Sequence, residues 1–305
     1  MATIVGVAAV GVVSVVGVWR TRSALVGDPP GSRAHRAVIV DQLDLTAPGA
    51  AFVAEARRTL EASGYALDVI PALDATVEVL RDLPARQPDV LILRMHGARI
   101  ASGNRVTDDV ALFTGEPVDL DAMPMVGLPA PVATAVAEAR AVHSATQPAA
   151  VPPAKPGAPR FSADELHALV PMVYAVNGRE LPYIGLRPTF IAEHTIGRFA
   201  EGTVVVLMGC DTVRSPAMAE AFRARGAGAV VGWDGAVSAA HTDAATLALL
   251  ARWAASRTAS GADAGAAPDA VRDAVDAVNA DLGPDPASGA RLVAVAGASG
   301  SSNPP

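Results

Sequence analysis

The sequence predicts an α/β fold with a mostly parallel central sheet. Short apolar runs alternate with segments of helical spacing over residues 36–97, and the same rhythm returns over 202–255. The chain of 305 residues is long enough to bury a substantial core. Hydrophobic residues make up 51% but aromatics only 4%, so that core is expected to consist of small aliphatic side chains.

The first unit is RAVIVD (36–41), an apolar run ending in Asp and suited to a buried strand. GAAFVAEARRTLEASG (49–64) places Phe52, Val53, Ala56 and Leu60 at helical spacing, with Gly64 as a stop signal. YALDVI (65–70) predicts a strand, DATVEVLRDLP (74–84) a helix and DVLILRMHG (89–97) a third strand. VATAVAEARAVHSA (132–145) has helical character. The Pro- and Ala-rich stretch that follows, placed at 144–160, reads as a linker insertion. Two strand-like runs over 171–184 flank Asn177-Gly178, the strongest local hairpin signal in the chain, and 189–199 predicts one short helix.

In the second half, GTVVVLMGC (202–210) predicts a strand and SPAMAEAFRARG (215–226) a helix. Ser215 is its expected cap, Pro216 occupies its first position and Gly226 ends it. AGAVVGW (227–233) is the next strand, HTDAATLALLARWAA (241–255) an amphipathic helix, and 268–282 a further helix. RLVAVAG (291–297) is expected at a sheet edge, before a polar tail at 298–305.

The N-terminus has a different character. Residues 2–19 carry no charge and stop at Arg20 and Arg22. The run approaches the roughly 17–25 residues of a membrane span, and it lacks the preceding positive charge of a signal peptide. The expected organisation is an anchor (1–22), a spacer (23–35) and an α/β domain (36–297). Arg20, Arg22, Arg33 and Arg36 all follow the run, which favours a cytoplasmic body, although the side of the membrane stays open.

Composition excludes some functions. A net charge of −7 and a pI near 5.3 leave no basic face for nucleic acid. One cysteine cannot form an internal disulfide, and no zinc-type Cys/His spacing exists. No P-loop or GxGxxG follows a strand, so neither cofactor nor metal is expected. His143, His167 and His194 have no partner spacing; Thr242 or Asp243 is most simply a helix cap.

Two predicted strands end alike, in His96-Gly97 and in Gly209-Cys210. In an open parallel sheet the carboxyl ends of the strands form the ligand-facing edge. If these strands are neighbours, a thiol and an imidazole emerge side by side, as thiol nucleophile chemistry requires. Gly97 and Gly209 allow close approach of a substrate backbone and supply N–H groups for an oxyanion. Taken singly, a cysteine after an apolar strand is more often packing than catalysis, and a lone His-Gly is often a turn.

The paired signature resembles that of the caspase-like cysteine peptidases, and CHAT-type domains most closely. Cys210-Asp211-Thr212, MAEAFRARGAGAVVGW (218–233), Val237 and DAAT (243–246) match features of those domains. The similarity covers roughly 37–255 and is specific over about 202–250. The chain also resembles uncharacterised archaeal-type proteins with one N-terminal hydrophobic segment. The resemblance implies a three-layer sandwich with an inserted hairpin, a peptide or protein substrate, Cys210 as nucleophile and His96 as general base. It places the Gly97 and Cys210 N–H groups at the oxyanion. The caspase Gln-Ala-Cys-Arg-Gly box is absent, and the 113 residues between His96 and Cys210 exceed the usual spacing. Asp211, Asp234 and Glu116 are acids that would favour a basic substrate residue, against a simpler reading as solvated loop charges. The competing expectations are a non-catalytic domain of the same fold, binding or signalling at the membrane, and an α/β receptor of the binding-protein kind.

Overall fold

The computed structural model describes residues 35–102, 105–118, 160–176, 179–260 and 268–296. The N-terminal run, its spacer apart from His35, the helix expected at 132–145, most of the Pro-rich insertion and the polar tail lie outside them. The chain divides into a unit of residues 1–33 and a unit from residue 34 onward, and the described residues all belong to the second.

The centre of this unit is a six-stranded sheet. The strands are β1 (His35–Asp41), β2 (Tyr65–Pro71), β3 (Val90–Arg94), β8 (Val204–Leu207), β9 (Ala229–Trp233) and β10 (Leu292–Ala296). The order is β10-β9-β8-β3-β1-β2. All neighbours run parallel except β10, which pairs antiparallel with β9 at the edge. β3 (VLILR) and β8 (VVVL) are buried throughout, which explains why they read as unbroken apolar runs rather than alternating ones.

Alternate residues of these strands feed two apolar clusters. Ile39, Ile92, Val206 and Met208 pack with Phe52, Ala56 and Leu60 of α1 (Ala50–Ala62). The same cluster takes Leu249, Leu250 and Trp253 of α5 (Ala239–Ser260) and Val271, Val275 and Val278 of α6 (Pro268–Leu282). Leu91, Leu93, Met95, Val205 and Leu207 face the other way. They meet Val77 and Leu80 of α2 (Val77–Arg81) and Met218, Ala219 and Phe222 of α4 (Pro216–Ala224). Ser215 caps α4 by accepting the Ala217 amide at 3.4 Å, Pro216 opens it, and Gly226 follows it at φ +103°.

A second, antiparallel sheet joins the Leu91 face. It comprises β4 (Gly97–Ser102), β5 (Arg105–Pro117), β6 (Leu169–Val176) and β7 (Arg179–Leu186), in the order β4-β5-β7-β6. The expected hairpin is its β6–β7 pair, with Val176 opposite Arg179; the two turn residues lie outside the described ones. A capping box between Ser162 and Glu165 opens α3 (Ala163–Ala168), just before β6.

Several elements depart from expectation. The strand predicted to run to Gly97 ends at Arg94, because the His96 amide leaves the sheet to donate to Gln42 Oε1 at 2.9 Å. The helix expected over 74–84 shrinks to α2: Thr76 caps its start, and Pro84 opens a separate 3₁₀ turn. The 189–199 segment keeps a single π turn, Phe190–His194. α5 continues past its expected end at 255 and runs to Ser260. Among the described residues no helix is long and apolar enough to cross a membrane.

Candidate active site

β3 and β8 are neighbours, with Leu93 opposite Leu207 and the Met208 amide donating to the Leu93 carbonyl at 3.0 Å. His96 and Cys210 each lie three residues beyond that pair, so they stand level at the carboxyl ends of adjacent parallel strands. The joint between the strand ends is tight. A Cβ on Gly97 would lie 2.6 Å from the Cys210 carbonyl oxygen and 3.4 Å from its amide nitrogen.

His96 is half-buried and held at several points. Gln42, fully buried, accepts its amide; the Phe113 amide donates to its carbonyl at 2.9 Å. The ring lies 5.8 Å from the Phe113 ring, and its Nε2 is 2.7 Å from Thr46 Oγ1. Burial, aided by the positive charge of Arg94, pushes the imidazole pKa below its ordinary value.

Cys210 is half-buried too. Its Sγ accepts the Val237 amide at 3.3 Å and donates to the Val237 carbonyl at 3.5 Å. Burial raises the thiol pKa, and the Val237 amide opposes that shift only in part. Both shifts favour the uncharged forms, the thiol and the neutral imidazole. α4 begins beyond Ser215, and the groups that hold the sulfur come from the loop before α5.

That loop is anchored deeply. Asp285, almost fully buried, accepts the Ser238 amide at 3.0 Å and the Ser238 hydroxyl at 2.8 Å. It also accepts the amides of Ala287 and Ser288. The Ser238 amide leads these donors in holding its carboxyl far below the usual range, with burial acting against them. Asp211, directly after the cysteine, adopts a left-handed φ of +58°, and its amide donates to the Gly235 carbonyl at 2.8 Å. Thr212 is buried: its hydroxyl reaches the Gly209 carbonyl at 3.1 Å and accepts the Trp233 amide at 3.1 Å.

Between these parts lies Arg94, fully buried at the end of β3. Its Nη1 donates to Asp41 at 2.6 Å, its Nε and Nη2 donate to the two Asp243 oxygens at 2.8 and 2.9 Å, and Nη2 also donates to the Ala47 carbonyl. The guanidinium packs over the Phe52 ring at 5.5 Å. One side chain thus fastens β1, β3, the segment before α1, and α5. Asp243 is consequently not a cap. Ser238 serves the helix start by accepting the His241 amide, while Thr242 joins Trp233 Nε1 to the Met208 carbonyl.

The three acids considered for a substrate pocket each have other partners. Glu116 accepts the Val77 amide at 3.1 Å and pairs with Arg160. Asp211 pairs with Arg214 at 3.4 Å. Asp234 accepts the Arg291 amide at 2.7 Å, at the β9–β10 edge. The geometry does not bring the three together around the thiol. Among the described residues no group of three or more His, Cys, Asp or Glu converges as a metal site.

Sequence reasoning missed Gln42, Thr46, Arg94 and Asp285. Only Arg94 had a visible signal, a charge inside the otherwise apolar LILRM. The others act through loop geometry that has no period. No family model matches this chain, and no curated protein matches it.

Proposed function

We propose that the domain is a caspase-like cysteine endopeptidase of the CHAT type, with Cys210 as nucleophile and His96 as general base. The observation that carries this reading is the close approach of the segments that hold His96 and Cys210, just beyond the carboxyl ends of adjacent parallel strands. In the reaction Cys210 Sγ attacks the scissile carbonyl carbon as His96 takes its proton. The proton then passes to the leaving amine nitrogen as the C–N bond breaks, leaving a thioester. Water, deprotonated by His96, hydrolyses that thioester and releases the free carboxylate product. The Gly97 and Cys210 amides, drawn close by the glycine joint, are the donors to the developing oxyanion. The apolar run 2–19 would tether the domain to a membrane and define substrates by proximity.

A non-catalytic domain of this fold is the second reading. It is favoured by the sulfur's bonds to Val237 and the ring's bond to Thr46, which engage each group with a partner other than its mate. Peptidyl acyloxymethyl ketones, varied in the residue beside the electrophile, separate the two. A peptidase is labelled by a subset of them, and labelling disappears in Cys210→Ala and His96→Ala. A wild type that no member labels, with its fold intact by circular dichroism, is the non-catalytic domain.

A further inference from the structure

We propose that residues 235–238 form an autoinhibitory strap over Cys210, latched by Ser288, whose opening sets the fraction of the protein that can react. The inference rests on Cys210 being the nucleophile and adds a regulatory contact to that reading.

The strap is the irregular segment between β9 and α5. Each of its residues has a tie of its own. The Gly235 carbonyl accepts the Asp211 amide at 2.8 Å, and the Ala236 carbonyl accepts the Ser288 hydroxyl. Val237 spends both backbone groups on the sulfur: its amide donates to Sγ at 3.3 Å, and its carbonyl accepts the thiol at 3.5 Å. The Val237 side chain packs against the apolar cluster of Ile92 and Met208. Ser238 is tied to Asp285 through its amide and its hydroxyl.

The middle link is the inhibitory one. A thiol has one hydrogen, so an S–H given to the Val237 carbonyl is not given to a general base. The Val237 amide engages sulfur electrons that attack on a carbonyl carbon requires. Burial is the largest influence keeping the proton on the thiol, and the strap is part of that cover. Sulfur is nevertheless a weak donor and a weak acceptor, so this link is the weakest in the strap. Its flanks hold it closed.

Ser288 is the latch because of where it stands. It is exposed, in the turn between α6 and β10, and its hydroxyl reaches the carbonyl next to Val237. Without that hydroxyl Asp285 keeps Ser238 and the amides of Ala287 and Ser288, so the turn itself persists.

In the full-length chain, alkylation of Cys210 by iodoacetamide at neutral pH reads the opening. In low urea its rate should rise far less steeply than the unfolding constant, as release of a short segment exposes little surface. Ser288→Ala should speed alkylation about threefold, the scale of one neutral hydrogen bond, and labelling by peptidyl acyloxymethyl ketones should rise with it. Ser288→Thr keeps a hydroxyl and should stay near the wild-type rate. Equal rates in wild type and Ser288→Ala, or a urea dependence as steep as global unfolding, overturn the strap and leave the nucleophile standing. Ketones that label neither protein overturn the nucleophile, and the inhibitory role of the strap with it.

Discussion

A Cβ on Gly209 would stand 2.5 Å from the amide nitrogen of Gly97. The Met95 carbonyl oxygen would be 2.6 Å away, and both obstacles are backbone atoms that cannot rotate aside. Gly209→Ala must therefore push the end of β8 from the end of β3. The expected destabilisation is about 1–3 kcal/mol, typical of overpacking. Urea unfolding measures it. Iodoacetamide kinetics on the folded variant should show Cys210 uncoupled from His96.

Arg94 is the second point of vulnerability. Arg94→Met leaves Asp41 buried without its counter-charge and releases Asp243. Breaking a buried pair in this way is worth roughly 3–5 kcal/mol. Arg94→Lys keeps the charge but cannot reach Asp41, both Asp243 oxygens and Ala47 together, so it should fall between the two. In the lysine variant His96 should titrate close to its wild-type value. In Arg94→Met, where it folds, the imidazole pKa should rise as the neighbouring positive charge is lost.

Acid and alkaline limbs of stability should trace to the site. The folded protein binds fewer protons at His96 than the unfolded chain does, so stability falls as pH drops through about 6.5 toward the lowered folded value. At Cys210 the folded state holds its proton longer. Stability accordingly declines as pH rises past the unfolded thiol value of about 8.5. Urea midpoints from pH 5 to 10 should show a shallower acid limb in His96→Gln and a shallower alkaline limb in Cys210→Ala.

Asp285 controls the thiol from a distance. Its carboxylate gathers the loop that presents Val237, so Asp285→Ala should release the sulfur from that clamp. Cys210 should then react several-fold faster with an aromatic disulfide reagent, and stability should drop by about 2 kcal/mol, the loss of hydrogen bonds to a charged group. Because the carboxyl stays ionised well below the usual range, its contribution is present above about pH 4 and is lost only in stronger acid.

The parallel half of this fold was legible because both faces of its strands are buried and its helices carry ordinary stop and start chemistry. β1, α1, β2, β9 and α6 lie where apolar runs, helical spacing and the Gly64 stop signal place them. The antiparallel sheet was legible only at its hairpin. β4 and β5 have polar breaks such as Thr107-Asp108-Asp109, and β5 finds its partner β7 across a long intervening segment, with Leu112 opposite Leu186. The neighbouring strand ends that lead to His96 and Cys210 could be read because strand ends in a parallel sheet share one edge. Gln42 and Thr46 could not, since a turn that holds another segment by hydrogen bonds leaves no pattern of its own. Glu116, singled out for a pocket by its charge alone, binds the Val77 amide and Arg160, partners that no sequence pattern announces.

Only Met95 and His96 separate the last residue of β3 from the first of β4. The His96 carbonyl is bonded to Phe113 in the antiparallel sheet, while the Cys210 sulfur is bonded to the loop before α5. The two groups thus take anchors from different parts of the fold, and amide exchange in β4 and β5 should report on the His96 carbonyl anchor alone. A partial opening that frees the smaller sheet removes the Phe113 anchor of His96, leaves its bonds to Gln42 and Thr46, and spares the sulfur.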